Sequence, residues 1–379
     1  MGKSLAANAL MFLIIGLLAF GAVLGWGKGQ FSAPGPLAEA ACFEVPSGSN
    51  FRKVSEGLAE LGAIDTPWIF RIGVRNSGKS ADLKAGTFLI REGASMQEIT
   101  DDLTRAGAST CGTEIVLRVG IVRSDVQLRE LDPATERMVL RASYVLGDEE
   151  LPSEYNRMRQ DPTTEFRVTM AEGTTVWQVA ESLRQAEFLS GEIGELPAEG
   201  MLAPDSYGVV AGADRAELIA RMVARQEERL AAAWALRATD LPVETPEELL
   251  ILASIIEKET GVAAERGVIA GVFVNRLRRG MRLQTDPTVI YGLTLGKEIL
   301  GRGLRVSELR GETPYNTYVI PALPPTPIAN PGIASIEAAA NPEPTEYIFF
   351  VADGTGGHAF AVTLEEHNAN VAKWRALEN

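Results

Sequence analysis

Residues 249–292, LLILASIIEKETGVAAERGVIAGVFVNRLRRGMRLQTDPTVIYG, decide the fold of the second half of the chain and carry most of its candidate chemistry. The stretch opens as a helix, because Thr245 can cap its amino end, Pro246 takes the first helical position and Glu248 completes a capping box. Gly261 marks the carboxyl end. Between these ends the apolar residues cover every side of the helix at 3.6 residues per turn. The pattern predicts a helix that is buried on most of its faces.

Glu257 interrupts this apolar run. It shares a helix face with Leu250 and Ala253. We therefore expect its carboxyl group to be desolvated, which would raise its pKa and favour the protonated form. Enzymes that donate a proton near neutral pH need such a carboxylic acid. The alternative is a glutamate at a helix end whose carboxylate faces solvent or pairs with Lys258 or an arginine. The residues alone leave both interpretations open.

Four long strings carry a family resemblance, and they occur in the same order as in that family. They resemble the endolytic murein transglycosylase family, also called YceG-like, and read SIIEKETG (254–261), ERGVIAGVFVNRLRRGMRLQTDPTVIYG (265–292), ETPYNTYVIPALPPTPIANPG (312–332) and FVADGTGGHAF (350–360). The likeness runs from about Leu249 to the carboxyl terminus, with a weaker likeness back to Cys42. A match over strings of this length is far more specific than a short motif.

The resemblance assigns roles to individual residues. The family's catalytic acid/base is the glutamate of the ASIIEKE-like string, which falls on Glu257. Glu259 is the alternative; it lies about 160° further around the helix, so one helix cannot aim both carboxyl groups at one bond. The implied substrate-binding residues are Gln284, Thr285, Asp286, Tyr315 and Asn316. Among these, Tyr315 offers a flat face for a sugar ring.

The implied reaction is that of a peptidoglycan lytic transglycosylase. In that reaction Glu257 would protonate the glycosidic oxygen between N-acetylmuramic acid and N-acetylglucosamine. It would then act as base while the muramoyl 6-hydroxyl attacks C1, which leaves a 1,6-anhydromuramoyl end. The resemblance also implies that nascent glycan strands near the membrane are the substrate, with peptidoglycan synthases as partners.

Two other functions stay open at this point. One is a non-catalytic cell-wall binding or scaffold protein, and the other is a muramidase-type hydrolase, which would need a second carboxylate. No cofactor and no metal site is expected, because His358 and His367 do not stand in a zinc-binding pattern. The net charge of −14 and the lack of a basic tract argue against nucleic acid.

Residues 9–26 are uncharged and mostly apolar, which is about the minimum length for a membrane-spanning helix. Lys3 precedes the run and Trp26 suits a membrane interface. We expect residues 1–8 in the cytoplasm, a single pass through a bacterial inner membrane, and the catalytic domain in the periplasm. A cleavable signal peptide is the rival, because residues 38–40, Ala-Glu-Ala, resemble a cleavage site. That site lies far beyond the apolar run, which favours an uncleaved anchor.

A weak internal repeat follows a linker predicted at residues 27–41. Its copies at 42–64 and 165–189, and a partial copy at 85–107, each read as a strand, a glycine turn and an amphipathic helix. Units of this kind resemble LysM modules, which bind glycans, although a plain α+β packing domain fits the pattern as well. Cys42 and Cys111 could pair in an oxidising compartment or stay as buried thiols.

The predicted fold class is therefore α+β. After the transmembrane helix and linker, residues 42–245 form the LysM-like region, with a strand-rich insertion at about 109–164 whose acidic end, from 147, is expected to be a surface loop. Residues 246–379 form the catalytic domain, which is mostly helical and has a short β-hairpin near the carboxyl terminus.

Overall fold

The chain adopts a mixed α+β fold in a computed structural model that describes residues 2–105, 110–148, 151–161 and 163–377. It divides into two compact units. The first unit comprises Met1–Ile115, Leu128–Ala142 and Ser153–Glu165, and the second comprises Val116–Gln127, Ser143–Pro152 and Phe166–Asn379. The end of the third repeat copy, at Gly107, lies outside the described residues.

The first unit begins with a long helix and continues with two strands and three shorter helices. In chain order these are α1 (Gly2–Ser32), β1 (Ala41–Val45), α2 (Phe51–Glu60), α3 (Pro67–Asn76), β2 (Gly86–Ile90) and α4 (Met96–Thr104). β1 and β2 pair antiparallel, with Ala41 opposite Ile90 and Val45 opposite Gly86. The core of the unit lies between this pair and α2, α3 and α4, which contribute buried residues such as Leu58, Phe70 and Ile99.

α1 is longer than the sequence pattern indicates. Its segment Leu13–Ser32 is apolar and long enough to cross a membrane, by length and composition. The helix continues six residues past Trp26, so the first part of the predicted linker is helical. Gly27 and Gly29 are poor helix formers and suggested a linker in the sequence. Tertiary packing overrides that signal, since Phe31 packs on Gly73, and irregular chain follows only from Ala33.

The copies of the weak repeat each form a strand, a turn and a helix. In the first two copies the turn glycines, Gly48 and Gly173, both have φ of +76°. This left-handed conformation favours glycine, because other residues have a Cβ atom that clashes there. The shared local structure accounts for the repeat in the sequence, and the LysM resemblance itself stays a prediction.

Cys42 and Cys111 form a disulfide, with their Cα atoms 5.6 Å apart. The bond closes a loop with a sequence separation of 69 residues. A cross-link of that span removes much of the entropy of the unfolded chain. Replacing Cys42 and Cys111 by serine is therefore expected to lower the free energy of unfolding by about 4 kcal/mol.

Urea unfolding of the oxidised chain and of the double serine variant would measure this difference. The same chain treated with a reductant serves as the matched control, and it should unfold with the variant. Equal midpoints for the oxidised chain and the variant would show that the bond does not constrain the unfolded state.

Three strands and a helix follow, and they form the strand-rich insertion. These are β3 (Thr113–Val119), β4 (Asp125–Asp132), β5 (Arg137–Val145) and α5 (Ser153–Gln160). The helix α5 lies where a surface loop was predicted. Most residues of α5 are polar or charged, but Tyr155 and Met158 are buried and attach the helix to the fold. Their spacing of three residues puts them on one helix face, a signal too short to be distinctive in the sequence.

The second unit contains the remaining elements. They are β6 (Glu165–Met170), α6 (Val176–Gln185), β7 (Leu189–Ser190), β8 (Ser206–Val209), β9 (Ala213–Asp214), α7 (Arg215–Ala235), α8 (Pro246–Glu259), α9 (Arg266–Arg278), α10 (Asp286–Thr294), α11 (Val306–Arg310), α12 (Ile333–Ala340), β10 (Phe349–Ala352), β11 (His358–Ala361) and α13 (Leu364–Leu377). A five-stranded sheet has the strand order β5-β4-β3-β6-β8. β10 and β11 pair antiparallel.

α8 lies at the centre of the second unit. Every residue from Leu249 to Ile256 is buried, and the helix packs against α7, α9, α10 and α12. Thr245 caps it by accepting a hydrogen bond from the Glu248 amide at 3.1 Å. The expected capping box is only half formed, because the Glu248 carboxylate accepts from the amide of Glu244 at 2.6 Å. A helix buried this completely can expose chemistry only at its ends.

Candidate active site

Three consecutive charged residues, Glu257, Lys258 and Glu259, form the carboxyl end of α8. Successive helical residues point about 100° apart. The three side chains therefore meet three different surroundings, each made by a distant part of the chain. These surroundings differ in burial, charge and hydrogen bonding.

Glu257 is held against the amino end of α12. Its Oε2 accepts hydrogen bonds from the Gly332 amide at 3.0 Å and from the Ser335 hydroxyl at 2.7 Å. Hydrogen-bond donors and a helix amino terminus both stabilise a carboxylate anion. The two hydrogen bonds fix the end of α8 to the start of α12.

Glu172 lies beside Glu257 and was not singled out by the sequence. Its carboxyl group packs so closely on Gly332 that a side chain at that position would overlap it. Burial raises the pKa of Glu172, and the negative charge of Glu257 raises it further. The only signal in the sequence was its position directly before the turn glycine Gly173.

Lys258 faces the turn of the second repeat copy. Its ammonium donates to the Gly173 carbonyl at 3.3 Å, and burial lowers its pKa. Nearby, Glu199 accepts from the Val176 amide at 2.9 Å and from the Tyr291 hydroxyl at 3.2 Å. Burial raises the pKa of Glu199. These contacts bind the repeat copy to the helices of the same unit.

Glu259 occupies the third setting. Its side chain is partly exposed, and its Oε1 accepts a short hydrogen bond from the Thr285 hydroxyl. Loss of water around the carboxyl group raises its pKa, and the charge of Asp286 raises it too. The Thr285 hydrogen bond and the positive charges of His358 and Arg276 act in the opposite direction. Since burial is the largest of these effects, Glu259 holds its proton more tightly than an ordinary glutamate.

The predicted substrate-binding stretch passes next to Glu259. Thr285 is buried, while its neighbours Gln284 and Asp286 are exposed. Asp286 begins α10, and its Oδ1 accepts from the Tyr318 hydroxyl at 2.7 Å. Burial raises the pKa of Tyr318, as does its hydrogen bond to Asp286, so the phenol stays a donor. Two exposed polar side chains therefore border a protonatable carboxyl group.

Arg276 holds the backbone that leads into Gln284 and Thr285. Its guanidinium is buried and donates to the carbonyls of Ile348, at 2.6 Å, and Leu283. Gln284 follows with φ of +51°, a conformation that turns the chain sharply before Thr285. Its amide donates to the Thr317 carbonyl at 3.1 Å. In the sequence Arg276 stands close to Arg278 and Arg279 near a helix end, and nothing there distinguishes it. The contact with Ile348, 72 residues away, has no local signal in the sequence.

Tyr315 and Asn316 are placed differently from Thr285 and Asp286. Asn316 is completely buried, and its side-chain amide donates to three backbone carbonyls, including that of Gly311 at 2.6 Å. Its Oδ1 accepts from the Tyr318 amide at 3.0 Å. Tyr315 packs edge-on against Tyr291, with ring centroids 5.0 Å apart, and its hydroxyl bonds to Thr326 at 2.9 Å. Both residues shape the loop that carries Tyr318.

His358 pairs with Glu265. Its Nδ1 lies 2.7 Å from Glu265 Oε2, and its backbone amide donates to Oε1 of the same carboxylate at 2.9 Å. This double contact ties the start of β11 to the segment between α8 and α9. The pair adds a positive charge near Glu259 whenever the imidazole is protonated.

The candidate site therefore has a carboxyl group with a raised pKa at the end of a buried helix, bordered by exposed polar side chains. This arrangement has the parts that a general acid–base site on an α+β fold would need. The chain belongs to the YceG-like family, whose model matches residues 43–373.

Proteins from two bacteria resemble the chain over most of its length. An endolytic murein transglycosylase of Bacillus subtilis is 29% identical over 336 residues, which are 88% of this chain and 85% of that protein. One of Streptococcus pneumoniae is 28% identical over 338 residues, which are 87% of this chain and 57% of that protein. A solved structure of a YceG-like protein from Listeria monocytogenes is 24% identical, with a TM-score of 0.45, and covers 88% of this chain and 99% of its own.

Proposed function

We propose that the chain is a membrane-anchored, endolytic lytic transglycosylase, a carbon–oxygen lyase that cuts peptidoglycan between N-acetylmuramic acid and N-acetylglucosamine. Its family membership and the names of its relatives support this proposal. The enzyme would cut nascent strands near the membrane, beside the synthases that make them, and leave 1,6-anhydromuramoyl ends that terminate elongation.

We propose Glu259, rather than Glu257, as the catalytic acid and base. The observation that carries this proposal is the raised pKa of the Glu259 carboxyl group beside Thr285 and Asp286. Glu257, the residue chosen from the resemblance, is already engaged with Gly332 and Ser335. A carboxyl group whose pKa is raised and that stays partly exposed fits the acid better.

The reaction would proceed in two proton transfers. Glu259 donates its proton to the glycosidic oxygen as the bond from that oxygen to C1 of N-acetylmuramic acid breaks. The resulting carboxylate then takes the proton of the muramoyl 6-hydroxyl while that oxygen bonds to C1. The bond from the Thr285 hydroxyl would stabilise the carboxylate between the two steps. No water is consumed, and Glu259 ends protonated as it began.

Gln284 and Asp286 would contact the glycan. Both are exposed on the stretch next to Glu259, where an amide and a carboxylate can bond to sugar hydroxyls. The negative charge of Asp286 would also favour positive charge developing at C1. Tyr315 and Asn316 were also predicted to bind substrate. Their hydrogen bonds favour a structural role instead, in which they hold the loop that carries Tyr318.

Digestion of purified sacculi tests the enzymatic proposal against the scaffold alternative. The full-length protein in detergent should release soluble muropeptides, which mass analysis would identify. A Glu259→Gln chain provides the matched control, because the amide cannot donate a proton in the same way. Sacculi that bind the protein but release nothing would favour the cell-wall scaffold.

The amino-terminal helix is expected to anchor the protein in the membrane. Helix α1 contains an apolar stretch long enough to span a bilayer, and within α1 the uncharged run 9–26 is the expected spanning part. Lys3 before this run suits a cytoplasmic amino terminus. Carbonate washing of membranes should therefore leave the protein in the pellet. Sequencing of the native amino terminus is the control, and a start at Ala41 would show that the segment is a cleaved signal peptide.

A further inference from the structure

The last turns of α1 pack on the body of the first unit. The Phe31 ring lies so close to Gly73 of α3 that no side chain would fit there. The Ser32 hydroxyl bonds to the Gln97 side chain of α4 at 3.0 Å. Beyond the helix, the Gly35 amide donates to the Gly93 carbonyl at 2.9 Å. α1 is therefore fixed to this unit and is not joined to it by a loose tether.

α1 and α3 run side by side in the same direction. Phe31 meets Gly73, and five residues earlier on each helix the rings of Trp26 and Trp68 lie 6.5 Å apart. A step of five residues is about 7.5 Å along either helix. Trp68 therefore lies at the same level along α1 as Trp26.

The facing sides of the two helices leave an open cavity. Its volume is about 760 Å³. α1 contributes one stripe at helical spacing, and α3 contributes a matching stripe; the main lining residues are Val23, Leu24, Gly27, Trp68, Ile69 and Ile72. The lining also includes polar and charged residues, among them Gln97 and Thr100 of α4. Lys28 is exposed, and Lys79 pairs with Asp101 at 2.6 Å.

Large apolar side chains on this side of the unit are exposed. Trp68 is 47% exposed and Ile72 is 48% exposed, and they lie one turn apart on the same face of α3. Isolated apolar residues are common on protein surfaces. These two instead continue the exposed apolar surface of α1, of which Trp26 is 54% exposed.

We propose that the Trp68–Ile72 face of α3 lies in the interfacial layer of the lipid bilayer, with lipid filling the cavity between α3 and α1. The proposal rests on the membrane anchor under the proposed function. The uncharged run 9–26 is about 27 Å long as a helix, close to the thickness of the hydrocarbon core. Trp26 then marks the outer boundary of that core, where tryptophan is enriched.

The contacts between α1 and α3 hold the first unit next to the membrane. Phe31 is already packed on Gly73, and Trp68 shares the level of Trp26. Trp68 must therefore meet the headgroup layer, with Ile72 one turn above it. Lys28, which lines the cavity two residues after Trp26 on α1, would add a positive charge near the lipid phosphates. The anchor thus sets the orientation of the unit as well as its attachment.

Depth-dependent fluorescence quenching tests the proposal on the full-length protein. The native cysteines are joined in a disulfide, so Ile72→Cys would give a single thiol for an environment-sensitive fluorophore. The protein is reconstituted in vesicles of phosphatidylethanolamine and phosphatidylglycerol, with or without lipids that carry a quencher near the headgroup. Arg52→Cys is the matched control. The Arg52 side chain on α2 is charged, 80% exposed and paired with Glu56, so we expect this position to face water and not lipid.

We expect the label at position 72 to emit at shorter wavelength in vesicles and to lose most of its intensity to the quencher lipids. The label at position 52 should change little. If the protein floats with the vesicles and both labels behave alike, the proposal is wrong although the anchor stands. If the protein does not float, the anchor fails and the proposal fails with it. Release of muropeptides from sacculi reports the catalytic proposal separately.

Discussion

Replacing Glu259 by glutamine is expected to reduce the release of soluble muropeptides from sacculi by about 10²–10⁴-fold. Glutamine keeps the shape of the side chain and can still accept the hydrogen bond from Thr285. It cannot donate the proton that the glycosidic oxygen needs, nor take the proton of the 6-hydroxyl afterwards. The initial rate of release, measured by chromatography of the digest, gives the effect.

Glu257→Gln is the matched control, since it makes the same chemical change two residues earlier on the same helix. It should retain most of the activity, because a glutamine oxygen can still accept from Gly332 and Ser335. Thermal unfolding of both variants would exclude loss of structure. An inactive Glu257 variant beside an active Glu259 variant would restore Glu257 as the catalytic residue.

The sequence predicted α8 well because its signals are local. Thr245, Pro246 and the apolar run fix the start and the burial of the helix, and the structure has the helix from Pro246 to Glu259. The mixed α+β class and the family were predicted from the sequence and are confirmed. The loop predicted between residues 147 and 164 was wrong in part, since two buried side chains in a charged segment are enough to hold α5.

The choice between Glu257 and Glu259 could not be made from helical periodicity. Periodicity predicts which residues share a helix face. It does not predict which distant residues pack on the last turn of α8. Glu257 meets Ser335, separated from it by 78 residues, and Glu259 meets Thr285, separated by 26 residues. These contacts depend on tertiary packing, for which a single sequence has no local signal.

The same limit applies to Glu172 and Arg276. Glu172 appeared in the sequence only as the residue before a repeat turn, yet it lies beside Glu257. Arg276 looked like one of several arginines at a helix end, yet it is buried and holds the chain before Thr285. Burial separates Arg276 from its exposed neighbours Arg278 and Arg279, and burial of a charged side chain is visible only in the fold.

The position of Asp286 raises the question of whether the product is a hydrolysed or an anhydromuramoyl end. A hydrolase of this bond needs a second carboxylate as nucleophile or as activator of water. Asp286 is exposed and close enough to Glu259 for its charge to raise the pKa of that residue. However, its Oδ1 is bound by the Tyr318 hydroxyl at 2.7 Å, which reduces its strength as a nucleophile.

Digestion in ¹⁸O-labelled water is therefore expected to place no label at C1 of the muramoyl end. The substrate's own 6-hydroxyl is tethered to the reacting sugar, so its attack costs little entropy compared with capture of a free water. The muropeptides should be one water lighter than hydrolysis products, as mass analysis of the digest would show. An Asp286→Asn chain is the control: it should act more slowly but give the same anhydro product, because Asp286 only supports the charge at C1. Labelled reducing ends from the unaltered chain, lost in the Asp286 variant, would instead identify a hydrolase in which Asp286 activates the water.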